Sequence, residues 1–200
     1  MGLLIKNARI VDGEKDFYGD VYIEAGIIKE VGKNIVKQGK IIDGKGKTLF
    51  PAFVDMHSHF REPGYTYKED IRSGSLAAVK GGYTAVNLMA NTNPVCDNME
   101  TVDFVLRKNK EVNLIDIHQS VSVTKGFKGE DISHLDNIDD RVKVISEDGL
   151  GVDKSSVMFE AMEKALKKNL IMMVHEEDKT VHDKRLQENL MTYRDICLAE

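Results

Sequence analysis

The sequence predicts an α/β protein in which a small β module over residues 1–50 precedes a run of βα units over residues 51–200. Three observations predict it. Turn dipeptides cut the first fifty residues into short apolar runs. From Pro51 onward, apolar strand runs alternate with stretches of helical period. The ends of those runs recur about every 29 residues, the length of one strand plus its crossover helix.

In the first module LLIKNARIV, DVYIEAG, IIKEVG and KIIDG read as strands, separated by Asp12-Gly13, Ala25-Gly26 and Asp43-Gly44-Lys45-Gly46. After Pro51 the strands are AFVDMH, TAVNLM, NLIDIH, RVKVIS and LIMMVH, ending near His59, Met89, His118, Glu147 and His175. Between them YKEDIRSGSLAAVKG, METVDFVLRKNK and KSSVMFEAMEKALKKN carry helical periodicity and good helix formers. Such units build an open doubly wound sheet or a (β/α)8 barrel, and in both the chemistry sits at the C-terminal ends of the strands. About five units fit between residues 51 and 200, whereas a barrel needs eight. RDICLAE ends the sequence inside a helical pattern without a stop signal, so the expectation is a fragment, or three further units supplied from elsewhere.

The 200 residues carry 28 Lys and Arg against 33 Asp and Glu, a net charge of -5 with no basic cluster, which argues against nucleic acid as a partner. MGLLIKNARIVDG is interrupted by Lys6, Asn7 and Arg9, so it offers neither a signal-peptide core nor an apolar span of about 20 residues. The expectation is a cytoplasmic protein without a membrane partner. Its two cysteines, Cys96 and Cys197, are too far apart for a CxxC motif and are expected as reduced thiols.

The strongest chemical signal is Asp55-Met56-His57-Ser58-His59-Phe60-Arg61-Glu62-Pro63-Gly64, at the end of the first βα strand. Alternation along a strand places Asp55, His57, His59 and Arg61 on one face, where two imidazoles two residues apart can chelate one metal ion and Asp55 can orient an imidazole. LIMMV ends in His175, followed by Glu176, Glu177 and Asp178, and RVKVI ends in Ser146-Glu147-Asp148-Gly149. Together these give four or five potential ligands at equivalent depth on strands one, four and five, as a dinuclear zinc hydrolase requires. Among the other candidates, His118 is expected in a core or supporting role, His134 and His182 in solvent, and Cys96 without thiolate activation.

With those motifs the chain resembles a type I dihydroorotase of the amidohydrolase superfamily. The likeness rests on DxHxHxREPG at 55–64, MANTNP at 89–94, SEDG at 146–149, VHEED at 174–178 and RLQENLMTYRDICLAE at 185–200. It implies that His57 and His59 hold one zinc, that His175 holds a second, and that Asp148 bridges the two ions. Some amidohydrolases use a carboxylated lysine as the bridge, but Lys143 lies five residues before Asp148, about 16 Å lower on the strand at about 3.3 Å per residue. The resemblance also implies that His59, Arg61 and Asn91 bind substrate, with the guanidinium and the amide holding its carboxylate. The implied reaction is reversible cyclisation of N-carbamoyl-L-aspartate to L-dihydroorotate in pyrimidine biosynthesis. Arg61 favours that substrate over those of dihydropyrimidinases and allantoinases.

The sequence departs from the family's pattern at Glu147, where aspartate is common, and at Ala90, where proline is usual. A further zinc histidine and the catalytic aspartate are expected beyond Glu200, as is the tail that completes a composite β-sandwich with residues 1–50. A homodimer and association with aspartate transcarbamoylase are the partner expectations; the alternatives are a non-catalytic dihydroorotase-like subunit or another cyclic amidohydrolase.

Overall fold

The computed structural model describes residues 2–174, so His175, His182, Cys197 and the expected helix over 185–200 lie outside the described residues. The chain divides into two compact units, Met1–Ala52 and Phe53–Glu200.

The first unit is one sheet of β1 (Leu3–Val11), β2 (Asp16–Glu24), β3 (Ile27–Gly32), β4 (Lys40–Asp43) and β5 (Thr48–Leu49). Its order is β3-β2-β1-β4, with β5 also on β1. β1, β2 and β3 run antiparallel, and β4 and β5 run parallel to β1. Ala25 and Gly26 both take positive φ, 50° and 76°, the two-residue turn whose twist suits a hairpin. β2 starts at Asp16, four residues earlier than its sequence pattern suggests, because Phe17 and Tyr18 pair with Ile10 and Arg9. Asp20 is buried yet satisfied, its carboxylate accepting from the backbone N–H of Asn7 at 3.0 Å and of Ile35 at 2.9 Å.

The second unit is a parallel α/β array: β6 (Phe53–Ser58), α1 (Ile71–Gly81), β7 (Tyr83–Leu88), α2 (Met99–Val112), β8 (Asp116–Gln119), β9 (Val121–Ser122), β10 (Val144–Ser146), α3 (Ser155–Lys167) and β11 (Ile171–Met173). β6-β7-β8 and β9-β10-β11 form two runs of parallel ladders. β8 and β9 follow each other along one strand course, interrupted at Ser120, whose N–H donates to Leu88 O at 2.8 Å. Five strand positions therefore stand in series, the partial set of βα units that the 29-residue recurrence implies.

The helices start and stop where their caps dictate. Asp70 caps α1 by accepting from Ser73 N, Ser73 returns the bond to Asp70 N, and Gly82 closes the helix at φ 83°. Asn98 caps α2 by accepting from Thr101 N, and Asn113 ends it in the left-handed region. Ile71 of α1 and Val105 of α2 pack with Phe60, Val86, Leu88, Ile115 and Ile117, while Val102 of α2 and Ala161 and Ala165 of α3 pack with Val121, Val123 and Ile145. At Gly74 a Cβ would stand 2.6 Å from the Phe60 ring, so the absence of a side chain lets α1 sit directly on Phe60.

The third connection departs from the repeat. Residues 123–143 hold two 3₁₀ turns, Lys125–Phe127 and Ser133–Asn137, and no α-helix. Capping at Thr124 is taken up by another task, described below, and Gly126 and Phe127 both adopt positive φ, 61° and 58°, which a helix cannot contain.

Candidate metal centre

β6 carries the first two ligand candidates. The strand stops at Ser58; Phe60 turns into the core, and Arg61 sits beyond the strand at φ 62°. Arg61 is thus placed by a turn rather than by strand alternation. Asp55 also differs from expectation: its Oδ1 accepts from the backbone N–H of His57 at 3.1 Å, within an irregularity of the β6–β7 register, and so fixes the strand rather than a ring.

The three side chains that converge are His57, His59 and Asp148, whose ligand atoms all lie within 4.8 Å of one another. His57 Nε2 stands 3.1 Å from Asp148 Oδ1, and His59 Nε2 stands 3.6 Å from Asp148 Oδ2. Donors held at about 2.0–2.1 Å from a zinc ion with tetrahedral angles stand about 3.3–3.4 Å apart, and both separations bracket that edge. Two imidazole nitrogens and one carboxylate are also a donor set that zinc favours. The residues present fit a divalent metal. His175, the expected fourth member, lies outside the described residues, and Lys143 is exposed.

Asn91 joins this group directly. Its Nδ2 donates to Asp148 Oδ2 at 2.7 Å, and its Oδ1 lies 2.8 Å from His59 Nδ1. Asn91 comes from the turn that follows β7. That turn is locked to the one after β6: Asn93 N donates to Pro63 O at 3.1 Å, and at Gly64, φ 92°, a Cβ would stand 2.1 Å from Asn93 O. Only glycine permits this approach. Gly64→Ala is expected to cost about 2–3 kcal/mol through overpacking and left-handed strain. Urea unfolding would read this as a lower midpoint at unchanged slope; an unchanged midpoint would show that the two turns yield freely.

Beside Asp148, Glu147 is 1% exposed and accepts from Thr124 N at 2.8 Å and from the Thr124 hydroxyl. Thr124 Oγ1 in turn accepts from Gly129 N at 2.8 Å, and Gly126 N donates to Asp97 at 3.0 Å. The third connection is thereby pinned to the residue before the α2 N-cap and to the end of β10. Nothing in the local sequence signals the Thr124–Glu147 pair, because its members are 23 residues apart.

Other sequence candidates fall elsewhere. His118 is exposed rather than in the core. His134, expected in solvent, is 7% exposed, with Nε2 at 2.9 Å from Ser122 O. Cys96 is fully buried, its backbone bonded to Ala90 and Ser122, and burial pushes its thiol up to about 12, so it is no thiolate. No helix among the described residues is long and apolar enough to cross a membrane.

A parallel βα array with two histidines and an acid converging at its strand ends is the arrangement of a (β/α)8 barrel with a candidate divalent-metal site. The dihydro-orotase-like family matches residues 46–192, and the chain belongs to that family. It is 50% identical over 205 residues to a dihydroorotase of Clostridium botulinum (strain Eklund 17B / Type B), covering 100% of this chain and 52% of that protein. A dihydroorotase of Aquifex aeolicus (strain VF5) is 42% identical over 180 residues, 88% of this chain and 43% of that protein. The chain thus spans about half the length of the curated relatives it matches. Among solved structures, an L-hydantoinase (dihydropyrimidinase) from Arthrobacter aurescens superposes with a TM-score of 0.76 at 19% identity, covering 96% of this chain and 44% of that one. That likeness shows the shared barrel fold. A D-hydantoinase (dihydropyrimidinase) from Thermus sp. gives 0.65 at 26%, covering 96% and 43%.

Proposed function

We propose that this chain carries the N-terminal half of a dihydroorotase site, acting in the reversible cyclisation of N-carbamoyl-L-aspartate to L-dihydroorotate. The observation that carries the reading is the convergence of His57, His59 and Asp148 within 4.8 Å, with Arg61 two residues after His59 in the chain. His57, His59, Asp148 and His175 would hold two zinc ions, with Asp148 as the bridge. Zinc supplies Lewis-acid polarisation of a ring carbonyl and acidification of a water. The protein's own groups do the rest. Arg61 and Asn91 receive the substrate carboxylate, the guanidinium by its planar fork and the amide by a second donor, and His59, whose ring meets the Asn91 amide, completes the substrate-binding set. Zinc histidine and acid–base aspartate positions beyond Glu200 complete the reading, so these 200 residues alone are proposed to turn over weakly or not at all. A cytoplasmic homodimer associated with aspartate transcarbamoylase belongs to the same reading, as does residues 1–50 forming part of a composite β-sandwich with 51–200 as the barrel.

The test compares L-dihydroorotate with dihydrouracil, the same ring without the carboxylate, on the protein as its host makes it. Dihydroorotate is expected to be the far better substrate, and Arg61→Met is expected to raise its KM more than about tenfold, the loss of one charge-assisted pair of hydrogen bonds. Equal turnover of the two rings, or an unchanged KM, would sink the assignment and leave a cyclic amidohydrolase of other specificity.

A further inference from the structure

The Asn91 side chain is engaged on both of its polar atoms, and each engagement constrains the next. An ionised carboxylate only accepts, so Asp148 Oδ2 at 2.7 Å selects the amide orientation in which Nδ2 faces it. That orientation turns Oδ1, which also only accepts, toward His59 Nδ1 at 2.8 Å. The His59 Nδ1 must therefore carry the proton, and a neutral ring protonated on Nδ1 leaves the Nε2 lone pair bare. Nε2 is the atom that faces Asp148 in the converging group.

We infer that Asn91 is a positioning residue for the metal ligands: a relay that, held through Nδ2 by Asp148, fixes His59 in its Nδ1–H tautomer. The inference rests on the metal reading of the same site and adds to Asn91 a role that is independent of substrate. The two roles are compatible, because Nδ2 has two hydrogens and Asp148 uses one, leaving the other for a substrate carboxylate. The relay also explains why the turn bearing Asn91 is locked. The Gly64–Asn93 approach and the Asn93–Pro63 bond hold that turn against the chain that leaves β6 just beyond His59. A relay of two hydrogen bonds in series works only if its middle member keeps its place.

The test uses imidazole nitrogen NMR on the full metal-free chain, at a pH about two units above the ordinary histidine value of about 6.5, so that the ring is neutral. The His59 signals are assigned by their loss in His59→Gln. Zinc affinity is measured separately by competition with a chelator. Wild type is expected to show the Nδ1–H tautomer. Asn91→Ala is expected to populate the Nε2–H tautomer and to weaken zinc binding about 10–100-fold, the usual effect of removing a group that orients a ligand histidine. Asn91→Asp, which keeps an acceptor facing Nδ1, is expected to retain the tautomer while losing the donor to Asp148. An Nε2–H tautomer in wild type would overturn the inference. So would Asn91→Ala with unchanged tautomer and zinc affinity but raised KM, because Asn91 would then serve substrate alone. A wild-type chain that shows the Nδ1–H tautomer, loses it in Asn91→Ala, and binds no zinc would uphold the relay and reject the metal reading.

Discussion

Asp148→Ala is expected to strip the site of metal and to lower turnover of the host-made protein by more than about a thousandfold. Asp148 is the one member of the group that faces both imidazoles, at 3.1 and 3.6 Å, and it also anchors Asn91. Its removal deletes one donor and frees the Asn91 amide that orients another. A metal contributes several kcal/mol of charge stabilisation in such hydrolases, and each 1.36 kcal/mol is tenfold in rate. Metal content per chain by elemental mass spectrometry and steady-state turnover measure the two effects. Retention of a full metal complement with normal turnover would remove Asp148 from the centre of the site.

The largest effect on stability is expected at Glu147, which touches no substrate in this reading. Glu147→Leu preserves volume and deletes the acceptor of both the Thr124 N–H and the Thr124 hydroxyl, leaving two buried donors without that partner. Each buried unsatisfied group costs about 1–3 kcal/mol, so about 3 kcal/mol in total is a moderate expectation. In a domain of this size it corresponds to a fall in Tm of about 6–12 °C. Glu147→Gln keeps one acceptor and offers the Thr124 hydroxyl a donor, so its cost is expected near 1 kcal/mol. Calorimetry on the pair decides: equal Tm values for Leu and Gln would mean that the Thr124 bonds carry no net stability.

Much of this fold is legible in the sequence because its signals are local. Period-two and period-3.6 apolar patterns locate β6, α1, β7, α2, α3 and β11. His57 and His59 are legible for the same reason, being two residues apart at a strand end. What stays hidden is what the chain assembles across distance. Asn91 is singled out through the family resemblance as a substrate residue, but its bridge to Asp148, 57 positions away, has no signal in the sequence, and His134 reads as solvated until its ring meets Ser122 O. Likewise the missing third helix follows from Thr124 being held by Glu147, a partner that no window of sequence around Thr124 contains. Arg61 shows the limit of strand alternation, since the periodicity that aligns it with His59 ends at Ser58.

Cys96 has a consequence for experiment. Its sulfur is sealed inside the turn that carries Asn91, with a pKa of about 12, so thiol reagents meet neither an accessible atom nor a thiolate while that turn is closed. Modification has to wait for the turn to open, and its rate then counts openings, as amide exchange does for a buried backbone. The protein thus carries its own clock for the turn that places Asn91 against His59 and Asp148. Peptide-resolved labelling with a thiol reagent reads that clock at a residue the protein already carries.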